Sequence, residues 1–248
     1  MKNIRDVLES NPFSFTKQIS IEINTICNNS KIHKSCPIHY MEKEAMSLNI
    51  IEKILVELGK YNYNGILSPY SYSEPTIDPR LYIVLDLIRK HIPNSIPYLI
   101  TNGFFITQTT VKELIERGVR RFQFSGYTSD DYEKLYKIAE EFKNKASFKV
   151  KKVFPFNDKL DKRVDRYNIT PINIDKPCHA PLEHLLINVK GDVALCCYDW
   201  KYINTFGSVK EKSLKEIITS DKVIETYLFL KKGERHRLDI CSKCDMVR

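Results

Sequence analysis

The sequence predicts an α/β protein: a partial, open TIM-like barrel of parallel strands, followed by a small C-terminal domain built on a β-hairpin and short helices. Three observations carry this. Between residues 17 and 154, strand-like and helix-like segments alternate about four times, the pattern of a parallel sheet with crossover helices. Only about 155 residues carry that alternation, whereas a closed eight-fold barrel takes roughly 250. Beyond residue 177 the alternation stops, and cysteines, a hairpin pattern and short helices replace it.

Residues 17–24 (KQISIEIN) alternate isoleucine with polar residues and run directly into Cys27, which reads as a strand ending in a loop. Residues 48–60 have helical periodicity and end near Gly59. A strand-like run at 64–72 precedes a helix at 80–91, which Pro93 stops. Residues 96–101 form a short strand closed by Asn102–Gly103. A helix follows at 107–118, with Thr107 or Thr109 as cap and Gly118 at its end. Then come a strand at 119–125, a helix at 129–143 with Ser129 at the cap, and a strand at 147–154. In parallel α/β sheets ligands sit at the C-terminal strand ends. Cys27, Glu74, Asn102 and Ser125 all fall at or just after such ends.

Residues 161–177 are polar and proline-containing and read as a linker, which divides the chain into 1–165 and 166–248. Residues 185–189 and 193–197, joined by Lys190–Gly191–Asp192, read as a hairpin; 214–220 and 222–232 read as short helices.

The chain has 248 residues, seven cysteines and a formal charge of +8. The charge is spread over patches at Arg120–Arg121, 143–152 and 231–237 with no nucleic-acid motif beside them, so it reads as a solvated basic surface and no nucleic-acid partner is expected. No apolar run approaches the ~20 residues of a membrane span, and the first residues hold no signal-like apolar core. No membrane is therefore expected, and a cytoplasmic setting is. There, clustered cysteines bind metal more often than they form disulfides.

Cys241-x2-Cys244 places two thiols on one tight loop. Cys196 lies on the second hairpin strand and Cys178 precedes the first. Four such ligands suit one iron–sulfur cluster or one zinc ion. Neighbours on a strand face opposite ways, so Cys197 points away if Cys196 points in; Cys196 is the ligand expected.

The run from Cys178 through LLINVKGDVALCC, FGSV, SLKEI and ICSKC resembles the twitch or SPASM extension of radical SAM enzymes. Four cysteines match the one-cluster twitch form, and the resemblance implies a 4Fe–4S cluster on Cys178, Cys196, Cys241 and Cys244. The N-terminal part resembles the family's partial barrel, whose Cys-x3-Cys-x2-Cys loop holds a second 4Fe–4S cluster that binds S-adenosylmethionine. Here the loop reads Cys27-x8-Cys36-x2-His39. Matching Cys27–Asn28 and Cys36–Pro37 leaves a five-residue insertion and puts His39 in the third ligand place. Taking Cys36 as the third ligand puts His33 in the middle place instead. An imidazole ligand raises a cluster's potential, which opposes reductive cleavage of a sulfonium.

Tyr72–Ser73–Glu74–Pro75 resembles the family's Gly-Gly-Glu or Gly-Glu-Pro motif. The match implies that Glu74 accepts a hydrogen bond from the S-adenosylmethionine amino group. Thr101–Asn102–Gly103 and Ser125 match further cofactor contacts. The resemblance implies a radical SAM oxidoreductase that abstracts a hydrogen atom from a small polar substrate, sugar or aminocyclitol-like, with a reductant such as flavodoxin or ferredoxin. It also admits a peptide-modifying enzyme, or a degenerate relative without radical chemistry that binds or transfers electrons. Tyr127, Tyr198, Asp199 and Trp200 follow strand ends and are candidates to line a substrate pocket.

Overall fold

A computed structural model describes residues 3–30, 36–153, 170 and 175–244. Among them, α1 (Ile4–Ser10) and β1 (Gln18–Ile21) lead into α2 (Leu48–Lys60), β2 (Ile66–Ser68), α3 (Leu81–His91), β3 (Ile96–Thr101), α4 (Gln108–Glu116), β4 (Arg121–Gly126), α5 (Ser129–Phe142) and β5 (Ser147–Lys152). The tail adds α6 (Ala180–Glu183), β6 (His184–Ile187), β7 (Asp192–Ala194), β8 (Thr205–Ser208), α7 (Leu214–Ile218), α8 (Asp221–Lys231) and α9 (Asp239–Ser242). The eight described strands form one sheet in the order β5-β4-β3-β2-β1-β6-β7-β8, which does not close. No described helix is long and apolar enough to cross a membrane.

The expected alternation is present, with boundaries set by local chemistry. β2 stops at Ser68 because Pro69 has no N–H to continue the ladder. α4 uses Thr107 as its cap, whose side chain accepts from the Thr110 amide. α5 is capped by Thr128, one residue before the expected Ser129, because Thr128 has the extended backbone a cap needs and Ser129 is already helical. α2 buries Ile51, Ile54, Leu55 and Leu58, and α3 buries Leu81, Val84, Leu85 and Ile88, each one apolar stripe turned to the sheet.

On the helix-covered face of the sheet, Ile19, Leu67, Leu99, Phe122 and Phe124 belong to one core. The residues between them face the other side and include several polar ones: Gln18 donates to Ser68 Oγ (3.2 Å), and Tyr98 donates to Gln123 Oε1 (3.5 Å).

The tail's strands continue the barrel sheet. β6 lies parallel to β1, with Gln18 to Ile21 paired in order to His184 to Ile187. β7 and β8 follow antiparallel, and β8 was not expected from the sequence. The turn of the hairpin is built by Asn188, whose side-chain oxygen accepts from the Lys190 and Asp192 amides, and by Gly191 at φ 92. β7 ends at Ala194, so Cys196 sits just past the strand and not on it. The 165/166 boundary falls outside the described residues, as does most of the expected linker.

The SLKEI run is a capping box: Ser213 Oγ accepts from the Glu216 amide (3.2 Å), and Glu216 Oε2 accepts from the Ser213 amide (2.8 Å). The next two amides of α7 donate to Glu57 on α2, Leu214 at 2.9 Å and Lys215 at 2.7 Å. One carboxylate thus fastens the start of a tail helix to the barrel's outer layer. Glu57→Ala is expected to cost about 1–2 kcal/mol, the value of a charged cap on orphan amides. It should also speed hydrogen exchange at the start of α7. An unchanged urea midpoint with unchanged exchange would remove this anchor from the account.

Candidate functional site

The cysteines fall into two groups, one in the tail and one in the loop that follows β1. In the tail, Cys178, Cys196, Cys241 and Cys244 line one pocket with Ala180, Tyr198, Leu230, Arg235 and Ile240. Each thiol is held by its own backbone contact. The Cys178 amide donates to Leu230 O on α8 (2.9 Å). Cys241 lies in α9, and the Cys244 amide turns back to Cys241 O (3.1 Å). Cys196 opens a turn folded by the fully buried Asp199, whose carboxylate accepts from the Ile203 and Asn204 amides. Asp199 therefore supports the pocket from behind and does not present its carboxylate to a substrate.

Arg235 closes the pocket. It is 2% exposed and donates to Lys176 O, Pro177 O and Cys244 O, so one guanidinium clamps the chain beside Cys178 and beside Cys244. Burial, then the neighbouring Cys178 and Cys244 sulfurs, push the Cys241 thiol up to about 12. Burial and Cys197 push the Cys196 thiol well above its ordinary range, and the Tyr198 amide donates to Cys196 Sγ (3.4 Å). Four thiols in an apolar pocket disfavour free thiolates and suit a cationic metal group. Among the described residues, no three His, Cys, Asp or Glu side chains converge on a point one metal ion could occupy. A cluster, which takes each thiolate on a separate iron, fits this spread donor set better than a single zinc ion.

The second group stands at the ends of β1, β2 and β3. Asn24 donates to Asp78 Oδ2 (3.0 Å) and accepts from the Ile26 amide (2.9 Å), while Arg80 donates to Ile23 O, Met46 O and the Asp78 carboxylate. This network fixes the base of the loop that carries Cys27. Cys36 is buried with Ile38, Tyr72 and Trp200. Burial first, with Glu74 and Cys36 nearby, pushes the Cys27 thiol up to about 11.

Glu74 is 3% exposed and joins β2 to β3. Its Oε1 accepts from the Thr76 amide, Thr76 Oγ1 and Thr101 Oγ1, and its Oε2 from the Asn102 amide (2.7 Å). Oε1 is saturated, and Oε2 keeps room for one more donor. Asn102 also donates to Asn28 Oδ1 (2.7 Å), tying the end of β3 to the cysteine loop. Ser125 is half-buried on β4, on the concave side opposite Lys151 of β5. His39 is exposed on the turn Pro37–Tyr40, with its ring edge toward Tyr40. No third ligand joins Cys27 and Cys36 at one metal point among the described residues; His33 lies outside them.

Sequence reasoning missed the residues between the two groups. Tyr72 donates to the Cys197 carbonyl, linking the β2 end to the tail. Glu22, the residue immediately after β1, is fully buried. Its Oε2 accepts from the Val189 amide (3.1 Å) and Tyr202 OH (3.1 Å), and its Oε1 has no hydrogen-bond partner. The Tyr72 amide is a further donor toward this carboxylate. Burial, opposed by those donors, pushes the Glu22 carboxyl up to about 7. The signal was available: in a strand covered on both sides, the polar half of an alternating pattern faces an interior, not water.

The family model of the SPASM iron–sulfur cluster-binding domain matches residues 178–245. The S-adenosyl-L-methionine-dependent 2-deoxy-scyllo-inosamine dehydrogenase of Niallia circulans is 23% identical over 234 residues, 92% of each chain. Among solved structures, BtrN in complex with AdoMet and 2-DOIA matches with a TM-score of 0.78 and 23% identity over 94% of both chains. anSMEcpe with bound AdoMet matches with a TM-score of 0.58 and 14% identity over 91% of this chain and 87% of that one. The structural likenesses establish a shared fold.

The Glu22 carboxyl makes a signed prediction. Its raised value means the folded chain holds a proton the unfolded chain has released. The stabilisation is full below pH 4.5 and is lost as pH rises through about 7. The loss is at most about 3 kcal/mol. Glu22→Gln should lack this slope, so its stability relative to the parent should rise between pH 5 and pH 8 in urea titrations. Parallel pH profiles would show that burial does not govern this group.

Proposed function

For a radical SAM protein that carries a SPASM iron–sulfur domain over residues 178–245, we propose an oxidoreductase function in which a hydrogen atom is taken from carbon in a small polar substrate of the sugar or aminocyclitol kind. The observation that carries it is the gathering of Cys178, Cys196, Cys241 and Cys244 around one pocket, within a fold shared with BtrN. These four would hold the tail cluster. Cys27 and Cys36, with His39 or His33, would hold the first, and Glu74, Asn102 and Ser125 would bind S-adenosylmethionine. When bound and reduced, the first cluster supplies the electron that cleaves the sulfonium to a carbon radical.

The chain's own residues bind, orient and shield. Glu74 offers Oε2 to an ammonium donor while its other contacts lock the carboxylate in place, so little ordering is left to do on binding. Asn102 keeps the cysteine loop against β3. Ile38, Tyr72 and Trp200 cover Cys36 and keep water from it. Arg235 holds the tail pocket shut around its thiols. Such sites need a reducing compartment such as the cytoplasm, and a flavodoxin or ferredoxin would deliver the electron.

A second reading, an iron–sulfur protein without radical chemistry, is favoured by the loop Cys27-x8-Cys36-x2-His39, which offers a histidine where a third cysteine is expected, because an imidazole ligand raises a cluster's potential. Anaerobic reconstitution separates the two. About eight irons per chain, falling to about four in Cys27→Ala and in Cys241→Ala alike, with deoxyadenosine released from S-adenosylmethionine under dithionite, is the expected result. About four irons, unaffected by Cys27→Ala and without deoxyadenosine, would leave the second reading standing.

A further inference from the structure

Between the cysteine loop and the tail hairpin lies a hollow that neither cysteine group occupies. Its walls include Thr25, Tyr40, Trp200 and Tyr202, with Glu42, Glu44, Lys190 and Lys201 at the rim and Glu22 among the lining residues. Tyr40 and Trp200 stand 5.5 Å apart, centroid to centroid. We propose that this hollow is a subsite for a protonated amine, seated on Glu22 and flanked by the rings of Tyr40, Trp200 and Tyr202. The proposal rests on the small-polar-substrate reading above and sharpens it to an amine-bearing substrate.

Charge accounting points the same way. Lys190 is already engaged by Glu44 (3.3 Å) and Glu42 (3.9 Å), and Lys201 lies over the Trp200 ring (5.5 Å). Glu22 has no cationic partner among the described residues, and its Oε1 is a buried acceptor without a well-formed hydrogen bond there, although the Tyr72 amide points toward the carboxylate. A buried acceptor left unpaired costs about 1–3 kcal/mol, so its persistence calls for a donor that arrives from outside the chain. An anion would meet Glu22, Glu42 and Glu44 together and is disfavoured. A neutral hydroxyl could satisfy Oε1 but would gain little from aromatic walls. An ammonium group gains from both the carboxylate and the ring faces. Its arrival would also draw the Glu22 carboxyl back toward its ordinary, ionised range.

The position suits a substrate site. Glu22 stands at the end of β1 where barrel proteins gather ligands, five residues before Cys27. Tyr202, its hydrogen-bond partner, comes from the turn that follows Cys196. An amine held there would lie between the loop expected to bind the first cluster and the segment expected to bind the second.

The test is equilibrium binding by calorimetry to the reconstituted, unreduced protein with S-adenosylmethionine present. The probes are 2-deoxy-scyllo-inosamine and D-glucosamine, each beside the analogue with a hydroxyl in place of the amine. At least about tenfold tighter binding of one amine over its hydroxyl analogue is expected. Glu22→Gln should abolish most of that preference. Tyr40→Ala, at a ring that is 63% exposed and thus no threat to folding, should weaken amine binding several-fold. Equal binding of both amines and their analogues to the parent protein overturns the proposal, as does a preference that survives both variants. Deoxyadenosine release by the parent protein, measured separately without either probe, reports on the radical reading alone. A failed amine subsite and a failed enzyme assignment therefore give different results.

Discussion

Gln18 to Ile21 lie beside His184 to Ile187 in parallel register, and the Glu22 amide extends the ladder by donating to Ile187 O (2.9 Å). Both cysteine groups depend on this pairing. The chain leaves β1 upward into the loop of Cys27 and Cys36. It leaves β6 upward into the Asn188 turn and returns along β7 to Cys196. Because the two strands run the same way, both exits are on the same side of the sheet, and the Asn188 turn meets Glu22 there through the Val189 amide. The tail's thiols belong to the other end of the hairpin, Cys178 ahead of β6 and Cys196 past the antiparallel β7.

Once the strands are joined, side chains set the spacing. Tyr72 reaches from the end of β2 to the Cys197 carbonyl, and Trp200 packs against Cys36 and Tyr72. Glu22 reaches from β1 to Val189 and Tyr202. On the outer layer, Glu57 fixes the start of α7. Most polar groups at this seam are satisfied, as burial requires; among the described residues, Glu22 Oε1 and Ser73 Oγ are buried there without a hydrogen-bond partner. Burial is also what pushes the Cys27, Cys196 and Cys241 thiols up, and at Cys241 it outweighs the Arg235 guanidinium nearby.

Much of this architecture was legible in the sequence, because helix period and strand period are local signals. The stripe of Ile51, Ile54, Leu55 and Leu58 announces α2, and Ser213 with Glu216 announces the start of α7. Glu74, Asn102 and Ser125 could be placed at strand ends by counting alternations, and the structure puts them there. What could not be read is non-local. Nothing in the run HLLI says that its parallel partner is QISI, and the tail's strands therefore read as belonging to a separate hairpin. β8 is short, contains Gly207 and has no apolar alternation to reveal it. Arg235 sits in a basic run that reads as solvated surface, yet its fork matches three carbonyls that only the folded tail brings together.

The join of β1 to β6 also orders events in time. β1 is made long before its parallel neighbour β6. Until then one flank of an isoleucine-rich strand has no ladder partner, and such a distant contact forms slowly. Exposed strand flanks are where nascent chains aggregate or recruit chaperones. Tyr72 and Trp200 join the barrel loop to the tail, so neither thiol group has its final surroundings before the hairpin docks. A cluster in either pocket would therefore sit in a joined barrel and hairpin, not in one part alone.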